Sequence, residues 1–161
     1  MNEHPALDPA HIFPTYIGGN ELSPFHYCYA NDQTVLRLAA GRFFAHHNGD
    51  PSELGYWALR KQAALFDVPE RPIEISGSDA VAFLERIVAR RIGDMKIDRG
   101  RYALICTHQG GIFMDGVLFR LAENRFWFVH PDGDLKPWLL AHSHNFDVTF
   151  SDPKSRVLQL Q

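Results

Sequence analysis

Three stretches of the chain, residues 101–106, 112–121 and 125–130, are rich in alternating apolar residues and are separated by only five and three residues. Strands joined by loops that short pair as antiparallel neighbours, because a parallel connection needs a crossover of a dozen residues or more. The two linkers, Thr107-His108-Gln109-Gly110-Gly111 and Ala122-Glu123-Asn124, supply glycine or asparagine where a tight hairpin requires positive φ. An antiparallel meander is therefore the fixed point around which the rest of the fold must be arranged.

Helical signals flank it. In 50–66, Asp50-Pro51-Ser52-Glu53 offers a capping side chain ahead of a first-turn proline, and Leu54, Trp57, Ala58, Lys61 and Leu65 follow at helical spacing. Pro69 and Pro72 forbid its continuation, and 73–76 then alternates as a strand ending at Gly77. Ser78 or Asp79 can cap a second helix over 80–89, whose apolar face is Ala80, Phe83, Leu84, Ile87 and Val88. A strand or hairpin broken at Gly41 is predicted in 34–44, a short helix begins at Pro137, and strands are predicted in 147–150 and 156–161. Prolines and the Gly18-Gly19 pair make 1–34 read as irregular, but its aromatic density predicts an arm that wraps the core. The fold class is α+β, antiparallel sheets with a few packed helices, organised as an arm with first strands in 1–50 and a domain in 51–161.

A net charge of −3 with interspersed signs gives no wide electrostatic footprint for nucleic acid or an anionic membrane. No uncharged apolar run reaches membrane-spanning length, and residues 1–14 lack the basic-then-apolar order of a signal peptide. Cys28 and Cys106 have neither metal spacing nor a disulfide framework. Both are expected to be buried free thiols, which fits a reducing cytoplasm.

The polar motifs carry little chemistry alone. Of nine histidines only His46-His47 and His142-x-His144 are close in sequence, and neither has zincin spacing, so they read as surface or core residues and no metal is expected. Asp132 and Asp134 around Gly133 read as a turn. Arg90-Arg91 follows a helix end, where cations offset the dipole, although arginine also holds carboxylates bidentately. Trp57 and Trp127 lie in patterned elements and are expected in the core. These residues define a globular α+β domain without specifying a reaction.

Several segments in order resemble the folate-dependent aminomethyltransferase family, the glycine-cleavage T-protein and its demethylase relatives. They are Leu65-Phe66-Asp67-Val68, then Ile73-Glu74-Ile75-Ser76-Gly77-Ser78-Asp79-Ala80 with Phe83-Leu84, and Arg99-Gly100-Arg101-Tyr102. Gly110-Gly111-Ile112-Phe113-Met114-Asp115, Phe119-Arg120-Leu121 and Glu123-Asn124-Arg125-Phe126-Trp127 follow, and Val157-Leu158-Gln159-Leu160-Gln161 is similar to a later family strand. The likeness covers 53–161 and its amino-terminal portion only. Tyr56-Trp57, Pro69-Glu70-Arg71 and Asn124-Arg125-Phe126-Trp127 look more like the demethylase branch, such as dimethylsulfoniopropionate demethylase.

The resemblance implies tetrahydrofolate as cofactor and a small-molecule methyl donor whose one-carbon unit passes to it. By position it implies Tyr102 as ring cover, Asp115 as an orienting group and Arg91 as an anion contact, with Thr107 where the family has a folate-contacting asparagine. Arg91 stands where the T-protein has its reactive aspartate, and Met114 replaces the first of two aspartates. A permanent cation cannot handle a folate proton. A demethylase relying on positioning accommodates these changes better. The alternatives are a non-catalytic binding or assembly module of the same fold, or one half of an enzyme completed by a second chain or a homo-oligomer.

Overall fold

The computed structural model describes residues 15–131 and 133–161, so residues 1–14 of the expected arm and Asp132 lie outside the described residues. The chain forms two compact units. One holds the described residues up to Pro69 together with Val157–Gln161, and the other is Glu70–Arg156.

In the first unit, β1 (Thr15–Ile17) and β2 (Asn20–Leu22) form a hairpin through Gly18 and Gly19, both at positive φ. This stretch is thus ordered as strands where an irregular arm was expected. The physical reason is that two consecutive left-handed glycines give the turn whose twist matches an antiparallel pair. A single helical turn, α1 (His26–Tyr29), precedes β3 (Val35–Ala39) and β4 (Arg42–His47). The latter pair is the hairpin expected around Gly41, turning on Ala40 and Gly41 at positive φ, and β4 also pairs in parallel with β2.

Helix α2 (Ser52–Lys61) is shorter than the sequence predicted. Pro51 occupies the N-cap position, with no side-chain capping bond, so Asp50 does not serve as the cap. Residues beyond Gln62 leave the helix because β5 (Leu65–Val68) pairs with β11 (Val157–Leu160), in register from Leu65↔Leu160 to Val157↔Val68. Cross-strand pairing has overridden a helical periodicity that one side of α2 satisfied. No residue of α2 is buried. Trp57, expected in the core, is 45% exposed, with the Lys61 ammonium 4.4 Å from its ring centre.

The second unit is built on the predicted meander. β6 (Arg71–Ser76), β7 (Arg99–Cys106), β8 (Ile112–Ala122), β9 (Arg125–His130) and β10 (Thr149–Ser151) form one antiparallel sheet in the order β10-β6-β9-β8-β7. Helices α3 (Ala80–Ile87) and α4 (Leu135–His142) complete this unit. On α3 the positions Ala80, Phe83, Leu84 and Ile87 recur at i, i+3, i+4 and i+7, and all four are buried. They join Ile73 and Ile75 of β6, Ala103 and Ile105 of β7, Leu118 of β8, and Phe126 and Phe128 of β9 in one core. Burying each large side chain there contributes roughly 1.5–3 kcal/mol. Phe83 sits at its centre, its ring 5.5 Å from those of Phe146 and Phe150.

Neither polar residue ahead of α3 caps it. Asp79 accepts from the Asp147 backbone N–H at 2.9 Å, and Ser78 donates to the Asp147 carboxylate at 2.7 Å, so both tie the helix start to 147 instead. The cysteine expectation is also corrected: Cys28 is exposed and Cys106 half-buried.

Candidate functional site

Strand alternation divides the second unit's sheet into two faces. One carries the core. The other presents Tyr102 and Leu104 from β7, Asp115, Val117 and Phe119 from β8, Trp127 and Val129 from β9, and Glu74 from β6. Register makes them neighbours: Tyr102 opposes Val117, Leu104 opposes Asp115, Phe119 opposes Trp127, and Trp127 opposes Glu74. Gly100 lies under the Phe119 ring, where a Cβ would stand 2.7 Å from Phe119 Cε1. The result is a half-open aromatic and aliphatic surface carrying two carboxylates.

Tyr102 and Asp115, both anticipated from the sequence, are brought together. The Tyr102 hydroxyl donates to Asp115 Oδ2 across the β7–β8 diagonal. Because that bond needs the neutral phenol, and the carboxylate charge disfavours a phenolate beside it, the Tyr102 pKa is raised above the ordinary tyrosine value. At the other side of the face, Glu74 accepts from Trp127 Nε1 at 2.7 Å and from Arg125 Nε at 2.9 Å. The indole hydrogen bond, reinforced by Arg125, holds the Glu74 carboxyl below its ordinary range. Trp127 is thus a half-buried residue of the open face, not a core residue. The readable signal was alternation, since Phe126 and Phe128 on either side are buried and Trp127 faces the other way; its pairing with Glu74, 53 residues distant, was not legible.

Arg91 and Thr107 are placed elsewhere. After α3 the backbone turns extended, and Val88 bridges to Ile105 while the Ala89 N–H donates to the Leu104 carbonyl at 2.8 Å. Residues 88–91 thereby run along the free edge of β7. The loop beyond is clamped by Glu85, whose carboxylate accepts from the Ile92 N–H at 2.7 Å and the Gly93 N–H at 2.6 Å. Those backbone donors lower the Glu85 pKa, with a further contribution from the Arg91 charge, which also lowers that of Asp94 behind the dominant Arg101 hydrogen bond. The Arg91 charge therefore acts on Glu85 and Asp94. Arg90 donates from Nη1 to the Tyr102 backbone carbonyl at 3.0 Å, at the edge of β7.

Thr107 closes the β7–β8 hairpin, its N–H donating to the Gly111 carbonyl and its carbonyl accepting from Gly110. It stands five residues from Tyr102, about 17 Å along the strand. There it lines a cleft of about 340 Å³ with Arg86, Cys106, His108, Trp138 and His142. Asp134 precedes α4 without a side-chain capping bond, consistent with a turn residue.

The open face offers ring cover, a carboxylate acceptor beside a phenol, and an arginine at the edge. These groups can bind and orient a flat, hydrogen-bonding ligand.

Comparison with known proteins places the fold. Residues 34–161 match the family described as GCVT N-terminal domain. An aminomethyltransferase of Clostridium botulinum (strain Okra) is 31% identical over 107 residues, spanning 63% of this chain and 29% of that protein. One from Staphylococcus epidermidis is 33% identical over 108 residues, spanning 64% and 30%. The crystal structure of glycine cleavage system aminomethyltransferase T from Bartonella henselae superposes with a TM-score of 0.75 at 25% identity, covering 85% of this chain and 38% of that one. The chain thus spans about three tenths of the length of the curated relatives it matches. On the match over 34–161, supported by the shared fold, this chain belongs to the GCVT N-terminal domain family.

Proposed function

We propose that this chain is the amino-terminal, folate-holding portion of a tetrahydrofolate-dependent one-carbon transferase of demethylase-like specificity, acting in the cytoplasm. The observation that carries the reading is the Tyr102–Asp115 pair set in an aromatic sheet face. Tetrahydrofolate supplies a nitrogen that accepts the one-carbon unit. The residues present fit its pterin end: Asp115 accepts N–H groups, Tyr102, Val117 and Phe119 cover a flat ring, and Tyr102, itself hydrogen-bonded, fixes the carboxylate. What these residues contribute is orientation of the acceptor nitrogen toward a small methyl donor, worth several kcal/mol where reactants are held at attack distance.

Isothermal titration with tetrahydrofolate tests this, on the protein alone and mixed with the carboxy-terminal portion of a relative. Binding heat is expected, with affinity that D115A weakens by about tenfold or more. Absence of heat in both settings contradicts the reading.

A second reading, a module that keeps the fold and works through a partner chain or a further copy, is favoured by α2. Leu54, Tyr56, Trp57 and Leu59 on that helix, with Leu65, Phe66, Leu158 and Leu160 on β5 and β11, are all exposed. Leu65, Leu158 and Leu160 share one side of the β5–β11 ribbon, and an exposed apolar strip of that kind marks a surface that other protein covers. Sedimentation of the chain with and without candidate partners separates the readings, since a genuine interface buries about 1,000 Å² or more.

A further inference from the structure

The cleft at the hairpin end of β7 contains two histidines that the folate reading does not use. His142, on the last turn of α4, directs Nδ1 at the Trp138 carbonyl 2.8 Å away. A carbonyl only accepts, so Nδ1 carries the proton and the neutral ring presents the Nε2 lone pair outward. Packing fixes the ring as well: Phe113 stacks on Trp138 at 4.4 Å between ring centres, and Trp138 lies 4.3 Å from the His142 ring. His108, exposed on the β7–β8 hairpin, places its own Nε2 3.4 Å from that of His142.

That separation is informative. Two imidazole nitrogens at 2.0–2.1 Å from one ion, subtending a tetrahedral angle, stand about 3.3–3.4 Å apart. A histidine whose second nitrogen donates to a backbone carbonyl is also the arrangement that orients metal-binding imidazoles. We propose that His108 and His142 bind a zinc-class divalent transition-metal ion through their Nε2 atoms. In the metal-free protein the His108 Nε2–H is the donor to the His142 lone pair. On binding, that proton moves to His108 Nδ1, so both Nε2 lone pairs face the ion. Among the described residues no set of three His, Cys, Asp or Glu side chains surrounds one point, so the site is open and solvent or an anion completes the shell. Arg86 and Thr107 on the cleft wall favour an anion there.

The test is calorimetric titration of zinc chloride into tag-free, chelator-treated protein, with the visible spectrum of added cobalt(II) as a second readout. One ion per chain is expected, with affinity falling by about tenfold or more in H108A and in H142A and unchanged in H144A, a neighbouring exposed histidine. Circular dichroism establishes that each variant is folded; H108A, altered on an exposed turn, is decisive if H142A disturbs the Trp138 stack. No binding by the wild-type chain overturns the proposal, and so does wild-type affinity in folded H108A or loss of binding in H144A.

Discussion

Tyr102 on β7 and Asp115 on β8 are joined by a phenol–carboxylate hydrogen bond although neither is the other's direct partner; each opposes an apolar residue, Val117 and Leu104. The bond runs diagonally, within reach of a long aromatic side chain on a twisted antiparallel pair. It leaves the Tyr102 ring and the second Asp115 oxygen on the open face.

The raised Tyr102 pKa has a direct consequence. A group whose folded pKa is raised adds stability below its unfolded value, about 10, and loses it as pH rises through the folded value. Phenolate absorbance titration of the wild-type protein should therefore contain a late-titrating component to which Tyr102 contributes. In D115N that tyrosine should return toward the ordinary value, because a carboxamide removes the charge opposing the phenolate. In Y102F the late component should shrink by one tyrosine.

Glu85 is expected to govern the edge segment that brings Arg90 to Tyr102. Replacing it with alanine leaves the Ile92 and Gly93 N–H groups without their acceptor, at a cost of about 1 kcal/mol given the exposure of the carboxylate. Its folded pKa is lowered, so its contribution is full above the unfolded value of about 4.3 and is lost as pH falls through the folded value. The gap between wild type and E85Q in urea denaturation should accordingly hold at neutral pH and narrow as pH falls below about 4.3.

At Gly116 the meander has no room for a side chain. A Cβ there would collide with the Val129 carbonyl oxygen and stand 2.6 Å from Phe128 Cε1. G116A should destabilise the second unit by about 1–3 kcal/mol through overpacking. Because Gly116 lies between Asp115 and Val117, the same change should displace the open-face residues, read as loss of the Tyr102 contribution to the late-titrating component.

Phe83 tests the core. With its side chain fully buried against Phe146 and Phe150, F83A should cost about 3–5 kcal/mol in thermal or denaturant unfolding, and F83L distinctly less.

Local pattern made the meander, the α3 face and the Gly41 hairpin legible, because alternation, i/i+4 spacing and turn glycines act within a few residues. What stayed hidden depends on distant segments. The end of α2 is decided by β11, nearly a hundred residues on, and Asp79 is drawn from a capping role by the backbone of Asp147. The same holds at the site. Tyr102 and Asp115 were recognisable from the family motif and lie on adjacent strands, whereas the role of Arg90 depends on how 88–91 lays against β7. His108 and His142 are 34 residues apart, so sequence spacing could not pair them.

The measurement that bears most directly on the account is tetrahydrofolate affinity in wild type, D115A and H108A, by titration with the complementary carboxy-terminal portion present. The account predicts binding that D115A weakens by about tenfold or more, as expected for a lost charge-assisted hydrogen bond, and that H108A leaves unchanged. Binding that D115A does not alter, or no binding in any of the three, would contradict it.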